Sequence, residues 1–75
     1  MRAYLLVKFK TDADLSQAQH ALGEAGVSSV DLVMGPYDAI VNIEVGDFAA
    51  LAELAKRVRN CPGIRDSVTC PVAHA

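Results

Sequence analysis

Hydrophobic and polar residues change their spacing five times along the chain, and each change marks an element boundary. Over residues 2–9, RAYLLVKF, the two kinds alternate: Ala3, Leu5, Val7 and Phe9 share one face, with Arg2, Tyr4, Leu6 and Lys8 on the other, which predicts a strand. Thr11-Asp12-Ala13-Asp14 then reads as a capping box, a threonine with an acid three residues on. Leu15, Ala18, Leu22 and Ala25 follow at helical spacing, and Gly26 stops the run. Val27 to Met34 predicts a second strand with Val30, Leu32 and Met34 on one face. After Gly35-Pro36-Tyr37-Asp38, a third strand turns Ala39, Val41, Ile43 and Val45 inward. Asp47 caps a second helix with the stripe Phe48, Leu51, Ala52, Ala55 and Val58, and with Leu54 at its margin. Cys61-Pro62-Gly63 closes that helix, and Ile64 to Val72 is the last strand, alternating through Val68, Cys70 and Val72. The order β-α-β-β-α-β with right-handed crossovers predicts an α+β, ferredoxin-like sandwich, a four-stranded antiparallel sheet with both helices on one face.

That architecture leaves the other sheet face uncovered. It carries Tyr4, Leu6, Val33 and Ile40 among Arg2, Lys8, Asp31, Asn42 and Glu44. Burying one large apolar side chain is worth about 1.5–3 kcal/mol, so covering four of them rivals the whole stability of a small domain. A two-fold, sheet-against-sheet dimer through Tyr4, Leu6, Val33, Ile40 and Asn42 is the expected solution. A half-solvated face with scattered hydrophobes is the plainer alternative.

Composition sharpens the need for a partner. The 75 residues make one domain, 52% hydrophobic and 21% charged, so the chain is expected to fold as residues 1–75 without linker or repeat. A domain of this size buries only about 60–65% of its unfolded surface, and such scaffolds take support from disulfides, a metal or a second subunit. Cys61 and Cys70 are the only cysteines, with no signal peptide ahead of them, which fits a reduced, cytoplasmic setting without a bridge. His20, Cys61, Cys70 and His74 show no metal-ligand spacing, and no apolar run is long enough for a membrane span. A partner subunit remains. Net charge is −2, and the basic Lys56, Arg57 and Arg59 read as complements to a helix C-terminus. With Arg65 they make no basic stripe, so direct nucleic-acid binding is not expected.

Gly35-Pro36-Tyr37-Asp38 suits a β-turn, with proline presetting φ at its second position. A turn needs no tyrosine, however, and Asp38 at the mouth of an apolar hairpin can receive a ligand's ammonium. Val33-Met34-Gly35-Pro36-Tyr37-Asp38, then Ala39 to Val45, then Cys61-Pro62-Gly63-Ile64 and Ser67-Val68-Thr69, resemble in order and spacing the ligand-binding, oligomerising (RAM) domain of the Lrp/AsnC regulators. The resemblance spans residues 2–73. It implies an effector pocket between dimers, amino acids as effectors, Gly35, Pro36, Tyr37 and Asp38 as pocket residues, and Thr69 and Cys70 as further candidates. Members of that family usually carry a helix-turn-helix ahead of this domain; here Met1 begins at the first strand, so the resemblance is to stand-alone members and DNA binding is not carried over. Pro71 within the last strand is a second departure, acceptable at an edge or bulge.

The function expected is therefore a small-molecule, amino-acid binding module that oligomerises as a dimer, tetramer or octamer and modulates full-length Lrp/AsnC regulators by co-assembly, with no cofactor. The alternatives are an oligomerisation partner without ligand, or a small dimeric ferredoxin-like enzyme. Catalysis lacks a base–nucleophile pair: His20 lies among Gln17, Gln19 and Glu24 as a surface residue, Cys70 reads as core, and Cys61, with Arg59 near it, has no histidine nearby.

Overall fold

The computed structural model describes residues 1–73; His74, weighed above as a metal ligand, lies outside them. Six elements follow one another: β1 (Arg2–Phe9), α1 (Leu15–Glu24), β2 (Ser29–Leu32), β3 (Ala39–Glu44), α2 (Phe48–Arg59) and β4 (Ile64–Pro71). The strands form one sheet in the order β2-β3-β1-β4, every neighbouring pair antiparallel. Alternation along β1 and β3 places Ala3, Leu5, Val7 and Phe9 beside Ala39, Val41 and Ile43 on one face, all buried. Ala18 and Leu22 from α1, with Leu51, Leu54, Ala55 and Val58 from α2, complete the same core. This is the ferredoxin-like α+β sandwich that the periodicity predicts.

The helix boundaries shift in two informative ways. Thr11 is not a cap. Lys10 donates its N–H to Gly63 O at 2.8 Å, and Ala13 N closes a turn on Lys10 O at 3.0 Å. The connector is thus pinned to the far loop, and the helix starts at Leu15 with Asp14 as N-cap, whose Oδ1 accepts from Gln17 N. Gly63 allows this docking, because its φ of +82° is left-handed and a Cβ there would lie 3.1 Å from that of Ala13. Asp47 caps α2 as read, accepting from Ala50 N at 2.8 Å. The stripe on α2 is rotated, however: Leu54 is buried, while Phe48 and Ala52 are exposed.

β4 corrects the reading of the last strand. Its register with β1 slips between Lys8 and Phe9, so Ile64 opposes Phe9 while Asp66 opposes Lys8 and Arg65 is the extra residue. A one-residue bulge inverts every later side chain. Ile64 is buried under the helices, but Val68 and Cys70 lie opposite Leu6 and Tyr4 on the open face, and Thr69 takes the helix side opposite Leu5. Cys70 is therefore half-buried on the open face rather than part of the core. Pro71 ends this edge strand, and because Val72 N donates to Arg2 O, the Pro71 nitrogen faces away from β1.

Candidate functional site

The residues from Met34 to Tyr37 do not form a tight β-turn. β2 stops at Leu32, and the hairpin is closed further out by Val33 N donating to Asp38 O at 3.0 Å. Gly35 takes φ +145°, a value open to glycine and strained for other residues. Met34, read from periodicity as an inward residue, is fully exposed on this loop. Tyr37 is half-buried instead of projecting at the tip, with its ring centroid 5.6 Å from the Lys8 ammonium.

Asp38 ties the β2–β3 loop to β1. Met1 and Val45 exchange both backbone bonds, so bonded pairs recur at every second residue of the β1·β3 ladder as far as Val7 and Ala39. The next donor in line is Phe9 N–H, and the Asp38 carboxylate takes it, with Oδ2 accepting at 2.8 Å. Asp38 also donates its own N–H to Val7 O at 2.8 Å. One carboxylate oxygen thus continues the ladder where the backbone has turned away, and among the described residues Oδ1 has no hydrogen-bond partner.

Behind Asp38 lies a cleft of about 390 Å³. Phe9, Lys10, Thr11 and Ala13 form one side, Leu15 opens α1 above it, and Leu32 at the end of β2 and Val33 just past it close it. Leu15 and Leu32, both of which periodicity assigns to the core, are 53% and 46% exposed here. Each stands at the end of its element, Leu15 first in α1 and Leu32 last in β2, where the packing layers run out. Of the loop tetrad, Asp38 alone lines this cleft; Lys10, Thr11, Leu15 and Leu32 are lining residues that sequence reasoning did not single out.

Thr69 and Cys70 stand elsewhere. They oppose Leu5 and Tyr4, about 10 Å along the strands and about 10 Å across them from Asp38, and they point to opposite faces. Thr69 lines a second groove of about 500 Å³ between α2 and β4, with Lys56 and Arg59 on its rim. Cys70 joins Tyr4, Leu6, Ile40 and Asn42 on the open face, all half-buried, and Val68 adds an exposed apolar residue that the sequence pattern had not placed there. Arg2 donates to Tyr4 Oη at 3.2 Å, and Asn42 Nδ2 donates to Ser29 Oγ at 2.8 Å, so the polar residues of this face are tied down beside the apolar ones.

The family model of the Lrp/AsnC ligand binding domain matches residues 2–75. The chain belongs to this family. Among curated proteins, none matches it. Solved structures share the fold at low identity. The Thermus thermophilus protein TTHA0845 superposes with a TM-score of 0.85 at 21% identity, covering 99% of this chain and 94% of its own. An AsnC family transcriptional regulator from Agrobacterium tumefaciens gives 0.85 at 18% identity, covering 99% of this chain and 50% of the regulator. The M. tuberculosis feast or famine regulatory protein (Rv3291c), complexed with L-methionine, gives 0.78 at 22% identity over 99% and 50%. The chain thus spans about half the length of these two regulators.

Within this Lrp/AsnC domain the other titratable candidates are held in structural roles. His20 Nε2 lies 3.3 Å from Glu24 Oε1 one turn along α1, both side chains more than two-thirds exposed. Cys61 Sγ donates to Arg57 O at 3.3 Å and lies 3.7 Å from Ala21 O, between the helices and away from Cys70. Burial pushes the Cys61 thiol above its ordinary pKa, so the nearby Arg59 does not activate it. Among the described residues, no three His, Cys, Asp or Glu side chains converge as a metal site, and no helix is long and apolar enough to cross a membrane.

Proposed function

We propose that this Lrp/AsnC domain is a non-enzymatic effector-binding module for amino acids that acts as an oligomer in the cytoplasm. The observation that carries the reading is the cleft behind Asp38, where a carboxylate with one oxygen free among the described residues stands at the end of the Gly35–Asp38 loop. The methionine-bound M. tuberculosis regulator of the same fold supports the ligand class. Self-association is supported by the open face, where Tyr4, Leu6, Ile40 and Asn42 are half-buried in the single chain; Val33, expected there from the sequence, lines the cleft instead. Thr69 and Cys70 point to opposite faces and lie too far from Asp38 to share its ligand within one protomer. Its output passes through co-assembly with full-length Lrp/AsnC regulators, whose domains share this fold. Ligand shifts that assembly by its differential affinity for the free and assembled states.

A thermal-shift screen of the amino acids at fixed protein concentration tests the reading. A ligand at about a hundred times its Kd adds roughly 2.7 kcal/mol, which moves the Tm of so small a domain by ten degrees or more, to order of magnitude. A shift from one or a few amino acids is the expected outcome. A flat screen removes the effector and leaves the second reading, a bare assembly module, which the apolar open face favours.

A further inference from the structure

We infer that the groove between α2 and β4 is a second small-molecule site, which takes a carboxylic acid with an apolar body and no amino group. It shares no lining residue with the Asp38 cleft and does not rest on the effector-binding reading. β4 is an edge strand, so the flank of α2 turned to that edge meets no further strand. Ala52, Lys56 and Arg59 recur at intervals of four and three along α2 and share that flank. Ala52 and Ala55 end at Cβ, where longer side chains would reach toward β4. The space they leave is a groove of about 500 Å³, within the usual range for small-molecule sites.

The lining separates into an apolar floor and a cationic rim. Leu51, Ala52 and Ala55 form the floor, Lys56 and Arg59 the rim, and no acidic residue lines the groove. Among the described residues neither cation is in an ion pair, and Glu53, three residues before Lys56, is not paired with it. The strand side offers hydroxyls. Thr69 lines the groove, and Ser67, two residues earlier on the same face of β4, has a buried Oγ without a hydrogen-bond partner among the described residues. A hydroxyl buried in that way is costly to leave unmatched, so this side of β4 is short of a polar partner. A carboxylate answers the rim: the Arg59 fork takes both oxygens, Lys56 adds charge and the Thr69 hydroxyl donates. An apolar body laid on Leu51, Ala52 and Ala55 comes out of water. An ammonium meets two cations and no carboxylate, so free amino acids are disfavoured here.

Amide chemical-shift titration of the full chain tests this, with octanoate as the probe and octylammonium, leucine and inorganic phosphate as controls. Octanoate is expected to shift the amides of residues 51–59 and of Thr69. At this groove it should bind about tenfold tighter than each control, a difference of about 1.4 kcal/mol. Lys56→Gln combined with Arg59→Gln should weaken octanoate by about tenfold as well. Ala52→Leu, which fills the groove, should abolish its binding. Ala52, Lys56 and Arg59 are exposed, so these variants are expected to keep the fold. Equal affinity for octylammonium would mean apolar adsorption alone, and equal affinity for phosphate would mean charge alone; either overturns the inference. Shifts confined to Phe9, Lys10 and Asp38, or octanoate affinity unchanged in Ala52→Leu, overturn the assigned groove. Absence of octanoate binding overturns the inference too, and in every case the effector-binding reading is left to its own screen.

Discussion

Asp38 has two duties that one substitution can separate. Its Oδ2 completes the β1·β3 ladder at Phe9 N, and its charge is offered to the cleft. Asp38→Ala removes both, and leaving the Phe9 N–H without its charged acceptor costs about 1–3 kcal/mol, a Tm loss of several degrees. Asp38→Asn keeps an amide oxygen for Phe9, so it is expected to melt near the wild type while losing amino-acid affinity. Wild-type affinity in Asp38→Asn would remove the carboxylate from the site. Cys61 supplies a pH test. Its folded pKa is raised by burial, so the folded chain keeps a proton that the unfolded chain gives up first. Stability from this group is present below the ordinary thiol pKa and is lost as pH rises through the folded value. Cys61 should therefore react with a maleimide more slowly in the folded chain than in the urea-unfolded chain near neutral pH, as read by mass spectrometry of the labelled peptides. Equal rates would mean that the thiol is not shielded.

The edge strand β4 is blunted against strand addition by its own residues. Val72 N bonds to β1, so the outward-facing backbone belongs to Ser67, Thr69 and Pro71. Proline has no N–H to offer, and Ser67 N is already taken by Asp66 Oδ1 at 2.9 Å, which leaves Thr69 with a free donor. Edges are commonly blunted in this way against sheet-to-sheet association. Pro71→Val restores a donor next to Thr69 and is expected to increase concentration-dependent association in sedimentation velocity. An unchanged sedimentation profile across the concentration range would show that the edge is guarded by something else.

Taken as a whole, the molecule has one thick core and one open face. Every fully buried large side chain (Leu5, Leu22, Val7, Val41 and Val58) sits between sheet and helices. Tyr4, Leu6, Ile40, Val68 and Cys70 lie on the other side, uncovered in the single chain. If a second copy supplies it, the Tm of the wild type rises with protein concentration. Leu6→Asp with Ile40→Asp would then give a monomer with a lower, concentration-independent Tm, because the paired faces would bury unpaired carboxylates. A monomeric wild type at micromolar concentration would end the dimer proposal.

How far the chain could be read without its structure follows from what repeats locally. The inward faces of β1 and β3, the Asp47 cap and the βαββαβ order rest on alternation, helical spacing and capping chemistry, each contained within a few residues. Periodicity names the side of an element that is apolar; it does not say whether anything lies opposite. Leu15, Leu32 and Phe48 have inward spacing and stand exposed at the ends of their elements, whereas Leu54, placed at the margin of its stripe, is 2% exposed. The bulge opposite Lys8 and Phe9 is a property of two paired strands, and it alone moves Val68 and Cys70 to the open face. Gly35–Asp38 could be read as a loop able to hold a ligand. The bond from Phe9 N to Asp38, and the meeting of Lys10 with Asp38 at one cleft, depend on segments far apart in the chain and exist only once the sheet has formed.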